Sequence, residues 1–365
     1  MLTQIEFMPQ NMIEIAVFVC YIVRDLCKGL HKRGKMMITI KDVAQEAGVS
    51  VATVSRVLNK KGYVHEETLA KVQQAINKLN YTPNEVARSL FKRDSKLVGL
   101  LLPDITNPFF PELARGVEDE LQQQGFRLLF GNSDENPEKA KGYVDAFLQN
   151  QVAGLISATQ TFHELNGQSV NIPTVALDRA HEKPYAVYTD SKEGGRMAAR
   201  ELIQRGSRKI AVLKGPSHIL PVLERFLGAV EVLADTEADF HVISLTSLSD
   251  EEAGKRTKEL FSQFPSVDGI IASNDMTAIA VLREAMRAGK SVPGDVQVIG
   301  FDDMPLSRLV FPALSTIRQP AYEMGSKAAQ LLLKLIRKEP VTEKHIQLPV
   351  TFIERDTTRK VKRDG

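Results

Sequence analysis

A chain of 365 residues exceeds one ordinary domain and permits two or three. Hydrophobic and charged contents of 43% and 25% exclude a disordered or fibrous polymer, and a net charge of only +2 means that any nucleic-acid contact must come from a local patch. Both cysteines, Cys20 and Cys27, fall near the start, so the main body has neither a disulfide framework nor a cysteine metal site, which suits a reducing cytoplasm.

The first 36 residues stand apart. Ile13–Val23 is largely apolar and is followed by Arg24, Lys28, Lys32, Arg33 and Lys35. The run is too short to cross a bilayer comfortably. No positive segment precedes it and no small-residue cleavage site follows, so it lacks the order of a secretory signal.

From Ile38 to Asn59 the spacing predicts two short helices joined by a tight turn. Thr39 can cap the first, because its hydroxyl can accept from N–H groups that have no partner at a helix start, and Asp42 adds a favourable negative charge there. Val43, Ala44 and Ala47 form one apolar face, and Gly48 stands where the chain must turn. Ser50 caps a second helix whose inward face is Val54, Val57 and Leu58. Its outward face, Val51, Ala52, Ser55, Arg56 and Asn59, is small or hydrogen-bonding with one long cation. Such a face suits a helix lying in a DNA groove, where bulk is excluded and Arg can bond guanine with two hydrogen bonds. The same spacing also describes an ordinary helical hairpin. A third amphipathic helix is expected over 65–79, with Leu69, Val72, Ile76 and Leu79 on one face. A short potential helix follows, with Pro83 near its start.

The ordered series Asp42-Val-Ala, Ala47-Gly-Val-Ser50, Thr53-Val-Ser-Arg56, Asn80-Tyr81, Pro83-Asn84 and Val86-Ala87-Arg88-Ser-Leu90 closely resembles the DNA-binding head and hinge of the LacI/GalR repressor family. The resemblance implies a helix-turn-helix head over 37–82 and a hinge over 83–95. It also implies DNA contacts from Thr39, Ser50, Val51, Ala52, Thr53, Ser55, Arg56, Asn59, Asn84, Ala87 and Leu90. Val51 and Ala52 can touch thymine methyls but cannot hydrogen-bond, so polar base reading falls chiefly on Arg56. Thr53, Ser55 and Asn59 then serve phosphates or neighbours. The hinge is too short for a stable isolated helix, and it is expected to order in the minor groove with Leu90 wedged into a base step. Because the resemblance begins at Met37, and Arg33-Gly34-Lys35 is what a purine-rich ribosome-binding sequence would encode, residues 1–36 are expected to be a misassigned start.

From Lys96 the pattern becomes alternating strands and helices. Leu97–Leu102 is a continuous apolar run, as in a strand buried on both faces. Further strands are expected at 126–130, 154–157, 174–177, 210–214, 240–245, 269–272 and 296–300. This alternation predicts doubly wound parallel sheets, with too many strands for one sheet, hence two lobes and a cleft beyond the strands' C-terminal ends. The core, 96–358, resembles the periplasmic-binding-protein-like core of the same family and ends in a basic tail, 359–365. The family's tetramer-forming leucine helix has no counterpart in that tail, so a homodimer is expected.

The residues that follow the strands are the cleft candidates: Asn107, Phe109, Phe110, Asp178, Arg179, Asn274 and Asp302, with Arg225 starting a helix stretch and Gln319 in a crossover segment. Carboxylates, amides and guanidinium groups bond adjacent sugar hydroxyls, and phenyl rings pack on sugar C–H faces. Singly, Asp and Asn at such places serve as caps and turn formers. By resemblance all nine fall on effector-contacting positions, and the set looks most like that of ribose-binding members, which implies D-ribose or a close derivative. Leu248 departs from a position often aromatic in the family.

Two alternatives stand beside this reading. Asp178 and Asp302 are a conceivable glycosidase pair, but Arg179 and Arg225 are expected to keep both ionised, which is poor for a general acid. No Gly-Xaa-Ser-Xaa-Gly elbow, phosphate loop or metal-binding histidine spacing is present, so neither cofactor nor metal is expected. The segment Glu112–Glu120 also resembles that of catabolite-control members, which bind a phosphorylated carrier protein on the core. The expected partners are therefore operator DNA, a small sugar and a second copy, with the carrier protein as the rival signal and no membrane.

Overall fold

A computed structural model describes residues 38–59, 62–81, 95–159, 172–179 and 184–361. The expected N-terminal extension and the hinge residues Asn84, Ala87 and Leu90 lie outside the described residues. The chain forms two units, Met1–Phe91 and Lys92–Gly365.

The first unit holds α1 (Ile40–Ala47), α2 (Val51–Asn59) and α3 (Glu66–Leu79). At the start of α1 a capping box joins Thr39 to Asp42, whose Oδ2 accepts from the Thr39 N–H (2.7 Å) and hydroxyl (2.8 Å). Gly48 ends α1 at φ 67°, a left-handed conformation open to glycine at little cost. The helices share a small core of Val43, Ala44, Ala47, Val54, Val57, Val72 and Ala75. Each buried valine contributes roughly 1.5–3 kcal/mol. Leu69, expected on that inward face, is instead 45% exposed. The inward stripe of α3 runs through Val72, Ala75, Ile76 and Leu79, and so small a core does not reach an apolar side chain in the helix's first turn.

The second unit is the expected pair of α/β lobes. Lobe 1 is a sheet in the order β11-β5-β4-β3-β1-β2, built from β1 (Leu97–Leu102), β2 (Arg127–Asn132), β3 (Gly154–Ser157), β4 (Thr174–Leu177), β5 (Ala186–Thr189) and β11 (His345–Leu348). Its described pairings are all parallel. Both faces are covered, which is why β1 reads as an unbroken apolar run. Val98, Leu100 and Leu102 face α4 (Phe109–Gln123) and α10 (Ala321–Ile336), while Leu101 faces α5 (Pro137–Gln149).

Lobe 2 repeats the plan in the order β12-β10-β9-β8-β6-β7, with β6 (Lys209–Lys214), β7 (Asp239–Ser244), β8 (Gly269–Ile271), β9 (Gln297–Asp302), β10 (Ser315–Arg318) and β12 (Thr351–Ile353). Only its β10–β12 pairing is antiparallel among the described strands. Ile210 and Val212 of β6 face α6 (Ser191–Gln204) and α7 (Leu220–Ala234). Ala211 and Leu213 face α8 (Asp250–Gln263) and α9 (Asp275–Arg287).

The chain passes between lobes after β5, after β10 and after β11. Four strands were not anticipated: β5, β10, β11 and β12, each only three or four residues long. Two boundaries also change. Helix α4 begins at Phe109 rather than Pro111, and Arg225 sits inside α7 rather than at its start, because Pro221 in the first turn initiates that helix.

In each lobe one helix pair crosses at backbone contact. A Cβ on Gly116 would lie 2.0 Å from the Tyr322 carbonyl oxygen, and one on Gly195 would lie 1.9 Å from that of Arg225. Only glycine admits this approach.

Candidate functional site

On α2 the expected DNA face divides into two groups. The Ser50 Oγ accepts from the Thr53 N–H at 3.1 Å, and its hydroxyl pairs with that of Thr53 at 2.9 Å. Asn59 Nδ2 donates to the Ser55 carbonyl at 2.6 Å and to the Ser55 Oγ at 3.2 Å. These four polar groups therefore serve the helix itself, and the Thr39 hydroxyl likewise bonds Asp42. Val51, Ala52 and Arg56 remain outward and exposed. The exposed part of α2 thus carries two apolar side chains and one guanidinium group.

In the second unit the strand ends converge on a cavity of about 500 Å³ lined by residues of both lobes. Asn107, Phe109, Phe110, Asp178 and Arg179 come from lobe 1 and Arg225, Asn274 and Asp302 from lobe 2, so eight of the nine expected residues line one space. It lies outside the carboxyl ends of two parallel sheets, where doubly wound folds take their ligands. Gln319 is the exception. It is 3% exposed and lies behind Asp302, to which its Nε2 donates at 2.8 Å.

The aromatic wall is Phe109 edge-on to Phe110, with ring centroids 5.2 Å apart. Asn107 fixes its start by accepting from the Phe109 N–H at 3.1 Å. Asp178 follows β4 at φ 66°, and Asp302 ends β9 at φ 112°. The second angle is sparsely populated by any residue but glycine and costs on the order of 1–3 kcal/mol, a strain that turns the strand end at the cavity. The next residue, Asp303, is also left-handed at φ 59° and is held by Arg318 Nε (2.7 Å) and Arg355 Nη2 (2.5 Å).

Both arginines are buried and fixed. Arg179 grips Glu135 with both terminal nitrogens, one at 2.8 Å. Arg225 donates to the Ser273 carbonyl at 3.0 Å, approaches Asp302 Oδ1 to 3.4 Å, and lies 3.8 Å over the Phe301 ring. The Nε of each is buried without a hydrogen-bond partner among the described residues. Asn274 caps α9 by accepting from the Thr277 N–H at 2.9 Å, so its capping role and its place in the cavity coexist.

The electrostatics correct one expectation. Arg179 and Arg225 do not keep the two aspartates in their ordinary range. Burial pushes Asp302 up to about 7, against the pull of Arg225 and with Asp275 and Asp178 adding to the rise. Burial also raises Asp178, although both arginines oppose it. Removal from water outweighs the attraction of nearby cations at this depth.

Glu135 and Asp104 also line the cavity and were missed from sequence. The signal existed, since each closely follows a strand, β2 and β1 respectively. Among the described residues no group of three or more His, Cys, Asp or Glu could hold a metal ion, and no helix is long and apolar enough to cross a membrane.

A three-helix head with an exposed face on α2, and a two-lobed core enclosing a polar cavity, define a ligand-binding transcription regulator. Residues 39–84 match the bacterial regulatory proteins of the lacI family, and residues 199–358 match the periplasmic binding protein-like domain. The chain is 56% identical over 326 residues to the ribose operon repressor of Bacillus subtilis (strain 168), covering 89% of this chain and 99% of that protein. The lac repressor dimer bound to operator and the anti-inducer ONPF matches with TM-score 0.80 and 26% identity, covering 88% of this chain and 99% of that one. A LacI family transcriptional regulator from Enterococcus faecium with bound ribose matches at TM-score 0.66 and 31% identity, over 73% of this chain and 100% of that one. The chain belongs to the lacI family of bacterial regulatory proteins.

Proposed function

We propose that this chain is a cytoplasmic homodimeric repressor of a ribose utilisation operon, released from its operator when D-ribose fills the inter-lobe cavity. The cavity carries the reading. Five carboxylates (Asp104, Glu135, Asp178, Asp250 and Asp302) face two guanidinium groups in about 500 Å³, beside an edge-on phenylalanine pair. That wall accepts hydrogen bonds from a neutral polyol and repels a phosphate or carboxylate ligand. Asp178 and Asp302 are assigned to hydroxyl recognition, not to glycoside hydrolysis, and the protein to regulation without catalysis. The similarity to a ribose operon repressor and to a regulator with bound ribose supports the choice of pentose.

Because each lobe supplies only part of the contacts, a sugar held by both favours one lobe orientation, and the chain that enters lobe 1 at β1 would feel the change. Reciprocity follows: if ribose weakens operator binding, operator weakens ribose binding by the same factor. Operator titrations with and without D-ribose test the proposal. Release is the expected result. No change removes ribose as effector, tighter binding makes it a corepressor, and operator binding that demands a phosphorylated carrier protein favours the catabolite co-regulator.

At the DNA, Arg56→Ala is expected to cost about 1–3 kcal/mol of specific affinity, concentrated at one base position. Competition assays on a panel of single-base operator variants measure it. An equal loss on operator and random DNA would leave Arg56 a phosphate contact only.

A further inference from the structure

Gln319 and Thr189 form a buried link that the cavity residues alone do not reveal. The Gln319 amide donates through Nε2 to Asp302 Oδ1 at 2.8 Å, and its Oε1 accepts from the Thr189 hydroxyl. Thr189, Gln319 and Asp302 are all at most 5% exposed, and of the three only Asp302 lines the cavity. Thr189 closes β5 in lobe 1, and Gln319 follows β10 in lobe 2, each at a place where the chain passes to the other lobe.

An ionised Asp302 only accepts hydrogen bonds, so the amide must turn its NH₂ toward it. The amide oxygen then points the other way and needs a donor in a place closed to solvent, which is the position of the Thr189 hydroxyl. We propose that Thr189 is a positioning residue of the effector site: by satisfying Gln319 Oε1 it holds the amide toward Asp302 and keeps that carboxylate ready to accept sugar hydroxyls. The inference rests on the cavity being the effector site. It also makes a lobe 2 ligand group depend on a lobe 1 side chain, so that separation of the lobes at this point weakens the carboxylate's support.

The charged groups around Asp302 are Arg225 on α7, Asp275 at the start of α9 and Asp178 at the end of β4, while Asp303 is turned to Arg318 and Arg355. The Gln319 hydrogen bond lowers the Asp302 pKa, so loss of amide order raises it further. Because Asp302 binds its proton more tightly folded than unfolded, its protonation stabilises the protein at low pH, and that stabilisation is lost as pH rises through about 7.

The test uses full-length Thr189→Val, which keeps the side chain's shape and removes the hydroxyl, with Thr189→Ser as the conservative rescue. Ribose titration by calorimetry between pH 6 and 8 should show affinity roughly ten-fold weaker at neutral pH in the valine variant, with the acid-side loss moved to higher pH. The serine variant should restore both. Without sugar, the fall in melting temperature with rising pH should move upward in Thr189→Val, and Asp302→Asn should abolish that difference. A uniform drop in stability with an unmoved pH profile would make Thr189 merely structural and overturn the proposal. Failure of wild type to bind ribose at any pH would instead sink the ribose reading, while the sugar-free melts still decide the role of Thr189.

Discussion

Arg225→Ala is expected to yield a protein that holds its operator and no longer releases it with ribose, its ribose affinity falling at least about 100-fold. The wild-type guanidinium stands between buried acids. It approaches Asp302 to 3.4 Å, bonds the Ser273 carbonyl at 3.0 Å and covers the Phe301 ring at 3.8 Å. Removing one partner from a buried charge pair costs on the order of 3–5 kcal/mol of stability. Asp302, already pushed up to about 7 with Arg225 present, would rise further and be protonated at neutral pH. A neutral carboxyl next to an empty volume cannot replace the acceptor and donor pair that a sugar's adjacent hydroxyls require. Operator binding is expected to be retained because the head helices α1–α3 belong to the other unit. Calorimetry with ribose and operator footprinting with and without it measure the two halves. Ribose-driven release by the variant would refute the assignment of Arg225.

Gly195→Ala is expected to cost 3 kcal/mol or more, about the upper range for overpacking a core. The added methyl would stand 1.9 Å from the Arg225 carbonyl oxygen, 2.8 Å from its carbonyl carbon and 3.0 Å from the Ala229 nitrogen. All three are backbone atoms, so no side chain can swing aside and α6 and α7 must part. Gly228 meets the same obstacle from the other helix, at 1.9 Å from the Lys192 carbonyl oxygen. Gly142 in α5 is the matched control, since its Cβ would meet nothing within 4 Å. Gly142→Ala should be neutral or stabilising by up to about 1 kcal/mol, from helix propensity and reduced freedom of the unfolded chain. Urea denaturation at unchanged slope separates the two. A Gly195→Ala midpoint equal to wild type would contradict the close crossing. Because the carbonyl it strikes belongs to Arg225, the substitution should also weaken ribose binding in any protein that still folds.

Adjacent residues encode the local features of this fold. The heads of α1 and α2, their inward valines, and the long apolar strands β1, β6 and β9 follow from local periodicity. Strand-end residues marked the cleft because a doubly wound sheet places its ligand there, and eight of the nine candidates share one cavity.

Other features arise only from contacts between distant segments. Strands β5, β10, β11 and β12 are as short as β3, β4 and β8 but mix polar with apolar residues, and each is completed by a partner far along the chain, as β11 beside β5 and β12 beside β10. Gln319 reads as one more ligand contact until Thr189, brought from the other lobe, is seen to hold it behind Asp302. The sign of the carboxylate shifts was likewise hidden: the arginines are visible in the sequence, but the burial that overrules them is not. Nor does a glycine announce that a distant carbonyl occupies the space its side chain would need. Periodicity, capping and residue type are local and survive in one dimension, whereas desolvation, close approach and hydrogen-bond partnership depend on what the rest of the chain brings alongside.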